Sequence, residues 1–278
     1  MKNKRRGVVI VCAVTAAAII LAVFSPFLAD ISGKIAARKY MAQDIKNVDN
    51  IVLVGECPAI DGNSQSVAGV KEAVRLGADA VKVDLCFRTD GTPVITDSYE
   101  NNAQADTVEE LFIGMNDEKY KDVRIYLNIV QLSGLSELNR LAVKYNMVGR
   151  VYLIGIDESH YGLVTSDDTI VPFMLKYDFT AEDLQNISDG KFSAPGCISK
   201  YGARGLEIDS RYATEEIVST LDDFGIPFIV SGTDSVRDYC NVLLNGAATV
   251  IVEDIETATQ VLDNWIDAMR ERSRTTVE

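Results

Sequence analysis

From residue 50 onward, short apolar runs rich in β-branched residues alternate with stretches that are apolar at every third or fourth position. Ile51–Val54 (IVLV) is apolar throughout, as expected of a parallel strand buried on both faces. Ser64–Leu76 follows, with Val67, Val70 and Val74 on one helical face and Gly77 as a stop. The alternation predicts further strands at Asp79–Phe87, Val123–Val130, Val151–Ile156, Thr169–Leu175, Gly205–Ile208, Pro227–Val230 and Thr249–Val252. Helices are predicted at 134–146, 180–187, 213–224, 234–245 and 255–270, the last with an apolar face around Trp265 that packs on its neighbours. Eight strands mostly separated by helices form the pattern of a parallel (β/α)8 barrel, and residues 41–278 come close to the ~250 typical of one. One pair departs from the alternation. Asp79–Phe87 and Pro93–Thr96 are joined only by five residues containing Asp90-Gly91, a tight-turn signal, so they form a hairpin with Pro93–Thr96 as an extra antiparallel strand. The alternative is a doubly wound open sheet, but no G-x-G-x-x-G follows the first strand.

The first 39 residues have a different pattern. Gly7 to Leu28 runs 22 residues without a charge, ~33 Å as a helix and enough to cross a ~30 Å hydrocarbon core. Phe27-Leu28-Ala29 makes a poor cleavage site before Asp30, so the segment reads as a retained signal anchor. Lys2, Lys4, Arg5 and Arg6 keep the N-terminus in the cytoplasm and place the C-terminal bulk outside it. The expected organisation is a cytoplasmic basic tail (1–6), a transmembrane anchor (7–28), a linker (29–48) and a barrel domain (49–278). Charge supports the division. Residues 1–39 hold seven basic residues and one acid, +6, so a net charge of −14 leaves −20 on the remainder. Nucleic acid is not an expected partner, because its binding rests on Lys and Arg displacing counterions. The membrane is, through residues 7–28, and a small ligand or a protein is the further partner expected at the barrel.

The chain has one histidine, His160, which excludes mechanisms needing a His pair and multi-His metal sites. It follows the fourth barrel strand alone and reads as an ordinary loop residue. Cys57, Cys86, Cys197 and Cys240 show no metal-ligand spacing, and their apolar neighbours mark them as small buried residues rather than disulfide partners. Asn186-Ile187-Ser188 has the form of a glycosylation acceptor, and Arg270–Arg274 forms a short solvated basic tail.

The hairpin carries a specific signature. Leu76–Asp97, LGADAVKVDLCFRTDGTPVITD, resembles that of the glycerophosphodiester phosphodiesterase family: L-G-A-D, a strand reading Glu-x-Asp-Val, then Thr-x-Asp-Gly, then a strand ending in His-Asp. Val52–Cys57 (VLVGEC) stands where the family has its first strand and His-Arg-Gly, and Ser64-Gln65-Ser66 where it has Glu-Asn-Thr. Tyr126–Val130 is similar to its strand ending in Glu-x-Lys, and Gly225–Asp234 and Gly246–Glu253 to its late strands. The likeness runs in order and spacing over roughly residues 50–262.

That resemblance implies a TIM barrel in which two histidines do acid/base work on a phosphodiester, while carboxylates hold a divalent metal. Here the two histidine positions are taken as Gly55 and Thr96, the phosphate-binding arginine as Glu56, and the three metal-ligand positions as Lys82, Asp84 and Asn128; Val130 replaces the lysine. Acid, base, phosphate clamp and metal are lost together, so the chain reads as an inactive family member with the remnant site Glu56, Lys82, Asp84, Asp97 and Asn128. No cofactor is expected. The alternative is an active phosphoric diester hydrolase with an unusual site around Asp84 and a Ca²⁺ or Mg²⁺ ion, for which Glu56, Lys82, Asp84 and Asp97 are the only candidates. Lys82 and Asp84, two apart on one strand, are expected to pair and fill the metal position, or else Lys82 binds an anionic group of a ligand. Glu56, Asp97, Asp157, Asp209 and Glu253 all fall at or just beyond strand C-termini, where barrel enzymes keep their sites. They mark either a pocket for a cation or the general acidity of the domain.

Overall fold

A computed structural model of the chain describes residues 40–60, 62, 65–98, 103–166 and 169–275. The expected anchor and most of the linker lie outside these residues. Among the described residues no helix is long and apolar enough to cross a membrane.

The strands are β1 (Val52–Glu56), β2 (Ala80–Phe87), β3 (Pro93–Ile95), β4 (Arg124–Ile129), β5 (Val151–Ile156), β6 (Phe173–Lys176), β7 (Gly205–Asp209), β8 (Phe228–Thr233) and β9 (Thr249–Val252). The helices are α1 (Val67–Arg75), α2 (Val108–Met115), α3 (Ser136–Lys144), α4 (Tyr161–Ser166), α5 (Ala181–Ser188), α6 (Gly196–Tyr201), α7 (Glu215–Asp223), α8 (Val236–Leu244) and α9 (Ile255–Thr275). Sheet order is β1-β9-β8-β7-β6-β5-β4-β2-β3, and pairing of β1 with β2 closes eight parallel strands into a barrel. Only β3 is antiparallel, on β2, across the turn at Asp90-Gly91 where Gly91 has φ of +85°.

Two apolar layers follow from the period-2 alternation of the strands. Val54, Ala80, Tyr126, Ile154, Met174, Ile229 and Ile251, one from each of seven strands, fill the barrel interior. Their neighbours along each strand, such as Leu53, Val81, Leu127, Leu153, Leu175 and Val250, face the helices. The helices α2, α4 and α6 were absent from the periodic pattern read above. For α2 the signal exists: Thr107 and Glu110 form a capping box, and Val108, Leu111, Phe112 and Met115 lie on one buried face.

Described residues ahead of residue 49 pack against α9. Trp265 of α9 is fully buried, its Nε1 donates to Gln43 O at 2.8 Å, and its ring lies 6.4 Å from that of Tyr40. Arg272 on the same helix pairs with Asp44 at 2.6 Å. Cys57, Cys86 and Cys240 are buried, Cys197 is half-buried, and all four are free thiols. Burial pushes the Cys57 thiol up to about 11 and the Cys240 thiol up to about 12, so neither is a reactive thiolate at neutral pH.

Candidate functional site: a charged cluster at the barrel mouth

The residues facing inward at the C-terminal strand ends continue the interior rows of the barrel. On β1 the row is Val52, Val54, Glu56, and on β2 it is Ala80, Lys82, Asp84. Parallel pairing sets Glu56 directly beside Lys82. Lys82 Nζ therefore meets Glu56 Oε1 at 2.6 Å. This corrects the pairing expected from strand spacing. Asp84 is two residues further along the same strand, ~7 Å away at the Cα, whereas Glu56 is the cross-strand neighbour.

Asp84 is held by other groups. Asn128 Nδ2 donates to its Oδ1 at 2.6 Å, in keeping with the Asp84–Asn128 register of β2 and β4. Gln65 closes the other side, with Nε2 3.5 Å from Oδ2 and Oε1 accepting the Asp84 N–H at 3.1 Å. Burial pushes the Asp84 carboxyl above its ordinary range, and the bond from Asn128 and the charge of Lys82 only partly oppose this. Burial pulls the Lys82 ammonium the other way, but the bond to Glu56 and the charges of Glu56, Asp84 and Glu207 hold it above its ordinary value.

Glu207 of β7 is a site residue that the sequence reading missed. It is 5% exposed, and its Oε2 accepts the Gly155 N–H at 2.7 Å. Gly155 has φ of +70° at a register shift between β5 and β6, and a Cβ there would come within 2.2 Å of Asn128 Oδ1. The bulge needs glycine on both counts and turns a backbone donor toward Glu207. The spacing Gly205-x-Glu207-x-Asp209 would have put Glu207 on the inward row.

Gly55 lies on the other face of β1. A Cβ there would meet Ile255 Cδ1 at 2.4 Å and Ala78 Cβ at 3.1 Å, in the helix layer. A side chain at 55 would point away from the barrel interior, and Glu56 is the residue that faces it. Thr96 is buried beside the site, with its N–H bonded to Asp84 O and its hydroxyl bonded to the backbone of Ser98. Asp97 adds negative charge that Asp84 feels.

The remaining mouth acids do not converge. Asp157 accepts from Ser159 N and Oγ and lies 3.0 Å from His160 Nδ1, all within one loop. Asp209 caps the turn at Ser210–Tyr212 through Arg211 N, and Glu253 is exposed. Among the described residues no three His, Cys, Asp or Glu side chains are grouped so as to hold a metal. The donor set around Asp84 does not fit a divalent ion either. An ammonium stands at the inward position next to it, and an amide N–H₂ occupies Asp84 Oδ1.

No protein-family model matches the sequence, and no curated protein does. Solved structures do match. One is the glycerophosphoryl diester phosphodiesterase domain of a Mycobacterium tuberculosis protein, 14% identical with a TM-score of 0.58, covering 78% of this chain and 99% of that one. A glycerophosphodiester phosphodiesterase from Parabacteroides distasonis is 12% identical with a TM-score of 0.57, covering 77% and 98%. An Oleispira antarctica phosphodiesterase in complex with the product sn-glycerol-3-phosphate is 11% identical with a TM-score of 0.54, covering 76% and 96%. The class defined is a TIM barrel of glycerophosphodiester phosphodiesterase type with one extra strand. At these identities the likeness is one of fold, and the chain is a glycerophosphodiester phosphodiesterase-like domain in that sense.

Proposed function

We propose that this is a membrane-anchored, extracytoplasmic domain that has kept the glycerophosphodiester phosphodiesterase barrel without its hydrolysis, and that it acts as a binding or scaffolding module. The observation that carries the reading is the inward row at the mouth: glutamate, lysine, aspartate and asparagine at Glu56, Lys82, Asp84 and Asn128, with no histidine among them and with the charged groups bonded to one another or to an amide. Phosphodiester cleavage needs a base to take the nucleophile's proton, an acid to protonate the leaving alkoxide, and a cation for the charge building on phosphate oxygens. The Lys82 ammonium is bonded to Glu56, and the Asp84 carboxylate is bonded to Asn128. Glu56 also repels a phosphate at the entrance. The uncharged run Gly7–Leu28 supports the anchor and the KNKRR cluster its orientation. A barrel segment of −20 is repelled by anionic lipid, so the anchor rather than surface charge would hold it at the membrane.

The test is incubation of the full chain with glycerophosphocholine and glycerophosphoethanolamine in Ca²⁺ or Mg²⁺. The reading expects no glycerol phosphate beyond the protein-free control. Turnover that disappears in Asp84→Ala would replace it with a metal-dependent hydrolase centred on Asp84.

A further inference from the structure

The end of the barrel opposite the mouth is built around the last turns of α9. Tyr40 packs on Trp265, and the carbonyls of Met41 and Gln43 accept from Arg272. Thr259 packs on Gly77, three residues before β2 begins, so residues 260–275 carry α9 ~24 Å past that rim. Asp84 at the mouth stands four residues up β2 from Ala80, ~13 Å the other way. Allowing for the tilt of barrel strands, the two ends are ~30 Å apart along the axis. The basic stretch Arg270–Arg274, expected as a solvated tail, belongs to α9 and borders an open groove of about 680 Å³ beside Val48 and Asp49. Val48, Ile266 and Met269 make part of the groove apolar, and Arg270 and Arg274, one turn apart, add two guanidiniums. Arg270 meets Asp267 at 3.3 Å in an exposed pair, which holds it weakly, and Arg274 has no carboxylate partner among the described residues.

Charge divides along the same axis. Residues 29–49 and 266–275 together carry seven basic and five acidic residues, +2 in a chain of −14. At the mouth Glu56, Asp84, Asp97, Asp157 and Glu253 face Lys82. The chain reaches the body from the uncharged run through Ala29–Lys39, eleven residues and ~36–40 Å at full extension. A tether of that length keeps the barrel at the bilayer without setting its angle. Anionic lipid does set it, by attracting one end and repelling the other. A phospholipid also matches the groove, with phosphate for the guanidiniums and glycerol and acyl carbons for the apolar side chains.

We propose that this end of the barrel is a lipid-facing surface, with Arg270 and Arg274 on phospholipid phosphates of the anchoring bilayer and the mouth opening away from it. The inference rests on the membrane-anchored reading and adds the source of the ligand. Whatever the mouth binds arrives from the aqueous side, as a soluble molecule or a protein, and not as a headgroup of the same bilayer.

The test uses the full chain in vesicles of phosphatidylcholine and phosphatidylglycerol that contain a trace of acceptor-labelled lipid. Cys12→Ser and Cys197→Ser leave only the buried Cys57, Cys86 and Cys240. A donor dye is then placed on Thr275→Cys at the end of α9 or on Glu253→Cys at the mouth, both exposed positions. With ~30 Å between them, energy transfer from residue 275 is expected to exceed that from residue 253 about threefold or more. Adding Arg270→Gln and Arg274→Gln removes the phosphate contacts and is expected to bring the two transfers together. Equal transfer from the two positions, or stronger transfer from residue 253, overturns the inference. So does a ratio that the two arginine substitutions leave unchanged. Alkaline carbonate reads the anchor separately. A chain that carbonate releases loses the anchor and this surface together, whereas a chain retained with equal transfers loses the surface alone.

Discussion

Gly55→Ala tests which way the first strand faces. The added Cβ would lie 2.4 Å from Ile255 Cδ1, 2.6 Å from Ile255 Cγ1 and 3.1 Å from Ala78 Cβ. Ile255 is 3% exposed at the start of α9 and Ala78 is 5% exposed, so neither has open space to move into. Overpacking of this kind costs ~1–3 kcal/mol. Alanine also restricts the unfolded chain, which returns ~0.4–1 kcal/mol. The net loss is ~0–2.6 kcal/mol, or a fall of up to ~10 °C in the midpoint at ~2–4 °C per kcal/mol. Differential scanning calorimetry of Gly55→Ala, Ile255→Val and the double variant gives the coupling directly. Ile255→Val deletes Cδ1, so the cost of Gly55→Ala should fall by ~1 kcal/mol in that background. Equal costs in both backgrounds, or a Gly55→Ala chain more stable than the wild type, would refute the orientation of β1 described here. Gly55→His would then be free to reach the barrel interior. With the orientation described, it cannot.

Three further outcomes follow from the packing and electrostatics. Trp265→Ala removes a fully buried indole and its bond to Gln43 O and should cost ~3–5 kcal/mol, read as a fall of ~6–20 °C in calorimetry. Tyr239 is 2% exposed and its hydroxyl has no partner among the described residues, so Tyr239→Phe should leave the midpoint unchanged or raise it. Asp84 has a folded-state pKa above its ordinary value because burial disfavours the carboxylate, so the folded chain binds a proton there more readily than the unfolded one. The cost of the ionised group is fully present above the raised pKa and relieved as pH falls. Asp84→Asn should therefore melt above the wild type at pH 7, with a gap that closes as pH falls toward the ordinary carboxylate range; a gap that widens would contradict the assignment.

The barrel was legible because its parallel strands read as short runs rich in apolar and β-branched residues between helical stretches, and all eight overlap the runs that predicted them. The hairpin was legible because Asp90-Gly91 leaves the chain little other choice. Short helices such as α4 and α6 were not, since six residues hold less than two turns of any periodic signal. At the site, residue types were readable and their partners were not. Lys82 and Asp84 share a face by period-2 spacing, yet the partner of Lys82 comes from β1, because register between strands distant in sequence sets the contact. Gly55 shows the same limit in another form. Motif order places it at the site, and strand alternation turns it to the helix layer, a one-residue difference that reverses the face. For Glu207 the inward face follows from Gly205-x-Glu207-x-Asp209, but its partner does not, because that contact depends on a bulge at Gly155 which no local pattern announces.

The most direct test of the central claim is phosphorus NMR of glycerophosphocholine mixed with an equimolar amount of the full chain in Ca²⁺ or Mg²⁺, so that even one turnover per molecule would be visible. The account predicts spectra that stay superimposable on those of Asp84→Ala and of the protein-free control. A glycerol phosphate signal that grows with the wild type and is absent with Asp84→Ala would contradict it.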